Sequence, residues 1–195
     1  MLVDAVNNHA GDGLTDSTVL GPFYAGRQRE LAHGETILLR EEDGPPLIVE
    51  GTVVSQNGEP ISNALIEVWQ TAPNQLYDVQ DDAQPEGHLR ASFRTDEHGD
   101  FSFRSILPVS YPIPDGGPAG QLLQLMGRHP FRPAHVHFMI SADGHRTLVT
   151  HLFLSGDAYL DSDAVFGVKP SLIVTPEKRD DSFQIVYRFG LEPLA

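Results

Sequence analysis

Leu47-Ile48-Val49-Glu50-Gly51-Thr52-Val53-Val54 is followed by a turn carrying Asn57-Gly58 and Pro60, and then by Ala64-Leu65-Ile66-Glu67-Val68-Trp69. Apolar and β-branched residues fill both runs. In the second, Leu65, Glu67 and Trp69 fall on one face of an extended chain, and Ile66 and Val68 on the other. Asn-Gly between two such runs is a strong signal for a β-hairpin, so the two strands are expected to pair or to lie side by side. Further strands are expected over 89–95, 101–106, 135–141, 147–154 and 182–189, divided by turns such as Glu97-His98-Gly99. This spacing predicts an all-β fold, an antiparallel β-sandwich with long loops and one or two short helices. One helix is expected from about Ala119 to Met126, with Leu122, Leu123, Leu125 and Met126 available to bury a face.

The 195 residues suit one domain, 1–195, with 1–30 read as a polar, Gly-rich extended segment laid over the core and broken at Gly21-Pro22. The formal charge of −14 is spread without a basic patch, which disfavours nucleic acid and anionic membrane as partners. Neither a signal peptide nor a run of membrane-spanning length is present in the sequence, so a cytoplasmic location is expected. With no cysteine, thiolate metal sites, iron–sulfur clusters and cysteine nucleophiles are excluded.

The chemistry concentrates in Arg132-Pro133-Ala134-His135-Val136-His137-Phe138. In a strand, His135 and His137 project from the same face and can direct both imidazoles at one point while Val136 packs behind them. Two tyrosines in unusual surroundings supply candidate partners: Tyr77 in Gln75-Leu76-Tyr77-Asp78-Val79-Gln80, and Tyr111 in Val109-Ser110-Tyr111-Pro112-Ile113-Pro114. Two phenolates with two imidazoles suit ferric iron, a hard trivalent cation that favours anionic oxygen and lowers the phenol pKa below its ordinary ~10. A His-x-His pair alone is more often structural than functional, and so is each tyrosine alone; their combination reverses that weighting. The histidines His9, His33, His88, His98, His129 and His145 stand in polar, loop-like contexts and are expected to face solvent.

These segments, in this order, resemble the intradiol ring-cleavage dioxygenases, from Thr18-Val19-Leu20-Gly21-Pro22-Phe23-Tyr24 to about Ile173. The resemblance implies one Fe(III) per chain held by Tyr77, Tyr111, His135 and His137. It also implies cleavage by O2 of a small aromatic diol or triol between its hydroxyl-bearing carbons. Arg132 matches the arginine that stabilises negative charge on substrate, Tyr111 the ligand that accepts the substrate proton, and Val19, Pro22, Phe23, Ala164 and Val165 the apolar wall around the ring. His151 stands where many members have glutamine, which makes it a candidate for catalytic support. Tyr77-Asp78-Val79-Gln80 and the segment Tyr159 to Lys169 are most similar to hydroxyquinol 1,2-dioxygenases. Products would then be 3-hydroxy-cis,cis-muconate or its tautomer maleylacetate, or cis,cis-muconate from catechol. Members of this type carry a long helical amino-terminal region that builds a homodimer; only about 17 residues precede Thr18 here, so the resemblance leaves the assembly open. Two other readings compete. Residues 49–68 also resemble prealbumin-like binding modules, which have no need of two Tyr and two His in ligand order. A cupin would place a glutamate shortly after His137, where Phe138-Met139-Ile140-Ser141 offers none.

Overall fold

The computed structural model describes residues 11–26 and 28–194. Eleven strands form among them: β1 (Pro46–Ser55), β2 (Leu65–Trp69), β3 (Arg90–Arg94), β4 (Asp100–Ile106), β5 (Tyr111–Pro112), β6 (Phe131–Arg132), β7 (His135–Ser141), β8 (Leu148–Leu154), β9 (Ile173–Val174), β10 (Glu177–Arg179) and β11 (Ser182–Leu191). They assemble as a four-stranded sheet β10-β11-β1-β4, a five-stranded sheet β3-β2-β7-β8-β9, and a separate ribbon β5-β6. The expected sandwich is present, with strands close to their expected bounds. Its sheets are mixed rather than wholly antiparallel, since β1 runs parallel to β11 and β8 parallel to β9. Neither pair is joined by a tight turn, so nothing local forces the antiparallel sense.

The expected hairpin does not form, because β1 and β2 belong to opposite sheets. The Asn57-Gly58 turn does exist: Gly58 has φ +88°, and the chain folds back far enough for Val54 to bridge Pro60. It then leaves β1 and crosses the sandwich to begin β2. Ile66 and Val68 of β2, Val136, Phe138 and Ile140 of β7, and Phe93 of β3 are buried against Val49, Val53, Phe103 and Phe189 of the facing sheet. Ring contacts cross the gap, with Phe93 and Phe103 stacked at 5.3 Å and Phe138 tilted against Phe189 at 4.9 Å. Each such fully buried side chain contributes on the order of 2 kcal/mol.

The helix α1 (Pro118–Leu125) starts with proline in its first turn, a position where a missing N–H costs nothing. Its apolar face is not buried as the sequence suggests: Leu123 is buried, whereas Leu122, Leu125 and Met126 are 58%, 86% and 53% exposed. Leu122, Leu125 and Met126, spaced i, i+3 and i+4, share one face and that face is turned to solvent, while Leu123 on a different side meets the protein.

Alternation along the strands places the site. With Val136 and Phe138 turned into the sandwich, His135 and His137 must point out of the five-stranded sheet. Cross-strand register sets Arg90, Trp69, His137 and His151 side by side across β3, β2, β7 and β8 on this outer face. The amino-terminal segment lies over it, tied by the Thr18 N–H donating to the Val149 carbonyl at 2.8 Å. Of the segment 1–30, residues 1–10, His9 among them, lie outside the described residues.

Candidate metal centre

Three separate pieces of chain deliver the four expected ligands. Tyr77 opens a one-turn 3-10 helix at Asp78–Gln80, and the Gln80 side chain accepts the Tyr77 backbone N–H at 3.1 Å. Tyr111 stands on β5, paired with Arg132 of β6. His135 and His137 occupy alternate positions of β7. All four are at most 2% exposed. The Tyr77 and Tyr111 rings meet edge to face at 5.3 Å, and Tyr77 Oη lies 3.1 Å from His137 Nε2.

The imidazole partners set which nitrogens are free. His135 Nδ1 lies 2.6 Å from the Pro133 carbonyl and must carry a hydrogen to donate there, which leaves a lone pair on Nε2. His137 Nδ1 lies 2.7 Å from His151 Nε2, and His151 Nδ1 lies 2.6 Å from Thr18 Oγ1. A relay in which His137 donates to His151, and His151 to Thr18, satisfies every one of these atoms and leaves the His137 Nε2 lone pair free as well. The two Nε2 atoms then face one another at 3.1 Å. Each has a donor within reach, the Tyr77 hydroxyl at 3.1 Å and Arg132 Nη1 at 3.3 Å, and a cation at the same place would take both lone pairs directly. Burial drives the pKa of His135, His137 and His151 well below the usual imidazole range, with Arg132 adding to the effect, so all three are neutral and able to ligate or accept. Burial, and then the neighbouring Tyr111, push the Tyr77 phenol well above its ordinary value. Only a strong positive charge in the site would ionise it. The donor set therefore fits a hard, highly charged metal ion.

Arg132 belongs to the same cluster. Its Nε donates to Asp163 Oδ1 at 3.2 Å, and its Nη1 lies 3.4 Å from Tyr111 Oη and 3.3 Å from His135 Nε2. Burial works against its charge, but Tyr111 and Asp163 more than compensate and raise its pKa. Its Nη2 is buried without a hydrogen-bond partner, a donor left for an anion. Asp163 also accepts the N–H groups of Val165 and Gly167, at 3.3 and 2.7 Å, and so fixes the 163–167 loop to the arginine. Of the expected wall residues, Phe23 is buried and stacks on Tyr77 at 4.6 Å; Ala164 is buried, Val19 and Val165 are half-buried, and Pro22 lies at the surface.

Sequence reasoning passed over Trp69, whose ring stacks on His137 at 4.6 Å, and Asp163; the one lay in a strand read for its pattern, the other in a segment read for its similarity to hydroxyquinol enzymes and for the pocket wall at Ala164 and Val165. His33 and His98 are exposed as expected, and His129 and His145 are half-buried. His88, expected to face solvent, is buried: its Nδ1 accepts the Leu39 N–H and its Nε2 faces Glu42 Oε1, both at 3.1 Å.

The fold and the site define a class: a β-sandwich with a buried two-tyrosine, two-histidine donor set on the outer face of one sheet. A family profile described as dioxygenase matches residues 19–193. The chain is 47% identical over 183 residues to hydroxyquinol 1,2-dioxygenase of Rhizobium sp. (strain MTP-10005), covering 93% of this chain and 62% of that one. Against 6-chlorohydroxyquinol 1,2-dioxygenase of Cupriavidus pinatubonensis it is 44% identical over 194 residues, covering 99% and 70%. The crystal structure of hydroxyquinol 1,2-dioxygenase from Pseudomonas putida DLL-E4 superimposes with a TM-score of 0.92 at 44% identity, over all of this chain and 72% of that one. The chain thus spans between about three-fifths and three-quarters of the length of these relatives. It belongs to the intradiol ring-cleavage dioxygenase family.

Proposed function

We propose that this chain holds one ferric ion through Tyr77, Tyr111, His135 and His137 and cleaves an ortho-dihydroxylated aromatic ring with O2 between its hydroxyl-bearing carbons. Hydroxyquinol is the preferred substrate and catechol the second, by the activities of the relatives and the 77–80 and 159–169 segments. The observation that carries the reading is the convergence of two opposed imidazole lone pairs and two buried phenols on one point. A binding module has no use for that arrangement.

When bound, ferric iron supplies the electron withdrawal that opens a chelated dihydroxy ring to O2. The protein's part is proton handling, charge and shape. By the family resemblance Tyr111 is the ligand that accepts a substrate proton at its oxygen, with the Arg132 guanidinium 3.4 Å away to favour the charge it carries between transfers. Arg132, permanently charged and with Nη2 uncommitted, stabilises negative charge that builds on the ring beside it. The His151–Thr18 relay fixes the His137 tautomer and ring angle, which makes His151 a positioning residue for a ligand. Phe23 and Ala164 supply apolar wall, Val19 and Val165 its margin. Among the described residues no helix is long and apolar enough to cross a membrane, and a cytoplasmic role in aromatic degradation is consistent with this reading.

The test is the visible spectrum of iron-loaded protein, with and without hydroxyquinol or catechol under anaerobic conditions. A broad tyrosinate-to-iron band that shifts on addition, followed on admitting air by oxygen uptake and ring-opened product, is the expected result. A protein that takes up no iron, or remains colourless with it, overturns the assignment.

A further inference from the structure

Tyr111 and His135 come from separate elements, and β5 belongs to neither large sheet: among the described residues it pairs only with β6, through Tyr111 with Arg132 and Pro112 with Phe131. A two-residue ribbon is a weak support for a metal ligand, because so short a pair is marginal without other packing. Asp157, in the loop after β8, supplies the missing tie. Its Oδ2 accepts the Ser110 hydroxyl at 2.5 Å and the Ala134 N–H at 2.9 Å, and its Oδ1 accepts the Tyr159 N–H at 2.8 Å. Ser110 is the residue before Tyr111, and Ala134 the residue before His135. The third bond closes the circuit, since the Tyr159 ring stacks on Phe131 of β6 at 4.8 Å and 7°.

We propose that Asp157 is a positioning residue that sets the spacing between Tyr111 and His135. One carboxylate oxygen joins the ribbon to the start of β7 at the positions immediately preceding the two side chains. A charged acceptor holding two donors is stronger and stiffer than neutral hydrogen bonds would be. The carboxylate is half-buried beside a cleft of about 460 Å³ lined by Gln75, Ser110, Ala134 and Tyr159, so its replacement leaves no charge or void sealed in the core. This inference rests on the iron reading above.

Its test compares iron-loaded wild type with Asp157→Asn, Ser110→Ala and the double variant. Asp157→Asn keeps the shape but turns one acceptor into a donor. The expected result is a shifted or weakened tyrosinate-to-iron band and roughly tenfold faster loss of iron to a strong ferric chelator, in protein with a wild-type far-ultraviolet dichroism spectrum. Ser110→Ala, a milder change that carries the test if Asp157→Asn folds poorly, shifts the band in the same direction and by less. The double variant matches Asp157→Asn, because both changes break one link. A merely structural tie would lower the melting temperature and leave the band and the chelator rate at wild-type values, and that result overturns the proposal. Wild type lacking the band would bring down the iron assignment itself, and this inference with it.

Discussion

At the scale of single residues, the two tyrosines are chemically alike but differently held, and their variants should separate. Tyr77→Phe removes an anionic donor locked against His137, and the expected outcome is protein without bound iron or colour, measured by metal content after loading and desalting. Tyr111→Phe removes the proposed proton acceptor; it should keep most of its iron and lose about 10²- to 10⁴-fold in kcat/KM, the usual size of a general-base contribution. Turnover of Tyr111→Phe at the wild-type rate would refute the base assignment. Arg132→Ala should lose a similar factor through charge stabilisation, measured in single-turnover kinetics. His88 carries a separate prediction. Burial holds its pKa below the usual value, against the pull of Glu42 and with help from Arg40. The folded chain therefore resists a proton that the unfolded chain takes up near pH 6.5, and stability falls as pH drops through that value toward the lower folded pKa. His88→Gln should lose about 1 kcal/mol at neutral pH, through poorer bonding of Leu39 and Glu42, and should show a flatter decline on the acid side in urea melts at stepped pH. The residues proposed as ligands stood out in the sequence because their types are rare in that combination, and the structure brings all four together. The burial of His88 was not, because Leu39 and Glu42, 46 or more residues earlier, show no pattern that points to it.

At the scale of elements, the strands were legible from alternation, but their partners were not. A turn signal such as Asn57-Gly58 reports only that the chain reverses; whether the returning segment stays in register or departs depends on which apolar face elsewhere can cover it. Here the return ends after the Val54–Pro60 bridge, and Ile66 and Val68 are buried on the opposite sheet instead. The pairing partners of β1 are β4 and β11, about 50 and 135 residues on, at a distance where local sequence carries no register information. Gly51 in β1 marks the register physically. It pairs with Phe101 of β4, and a Cβ there would sit 2.4 Å from two atoms of the Phe101 ring. Gly51→Ala must displace that buried ring, and overpacking of this kind costs about 1–3 kcal/mol. The loss should appear in equilibrium unfolding with the iron band of the folded protein unchanged, since β1 lies in the sheet that does not bear the ligands. A Gly51→Ala variant as stable as wild type would mean that Phe101 has room to move. Helix α1 shows the converse limit: its period was readable, but its burial depended on a neighbour that the sequence did not place.

At the scale of the whole molecule, the site joins parts that hydrophobic packing alone leaves apart. The sandwich core involves the inner faces of both sheets, while the donors come from the outer face of one sheet, the 77–80 turn and the β5-β6 ribbon. In the unfolded chain these groups are dispersed, so a metal ion that needs all four binds the folded state alone and stabilises it by mass action. With free iron at about a thousand times its dissociation constant the gain is ~4 kcal/mol, which for a chain of this length corresponds to a rise in melting temperature of roughly 8–16 °C. Calorimetry of the iron-loaded protein against protein stripped with chelator should show that increment. His135→Ala should lose the increment and melt at one temperature whether or not iron is added, since the remaining donors no longer enclose the ion. The stripped wild type should nevertheless unfold cooperatively, because the two-sheet core, with Phe93, Phe103, Phe138 and Phe189 packed across it, is complete without the metal. A stripped protein with no cooperative transition would instead make the metal a structural requirement of the sandwich, in the manner of small metal-folded domains. The two outcomes assign the ion either to chemistry on a finished scaffold or to the scaffold itself, and the depth of the inter-sheet core argues for the first.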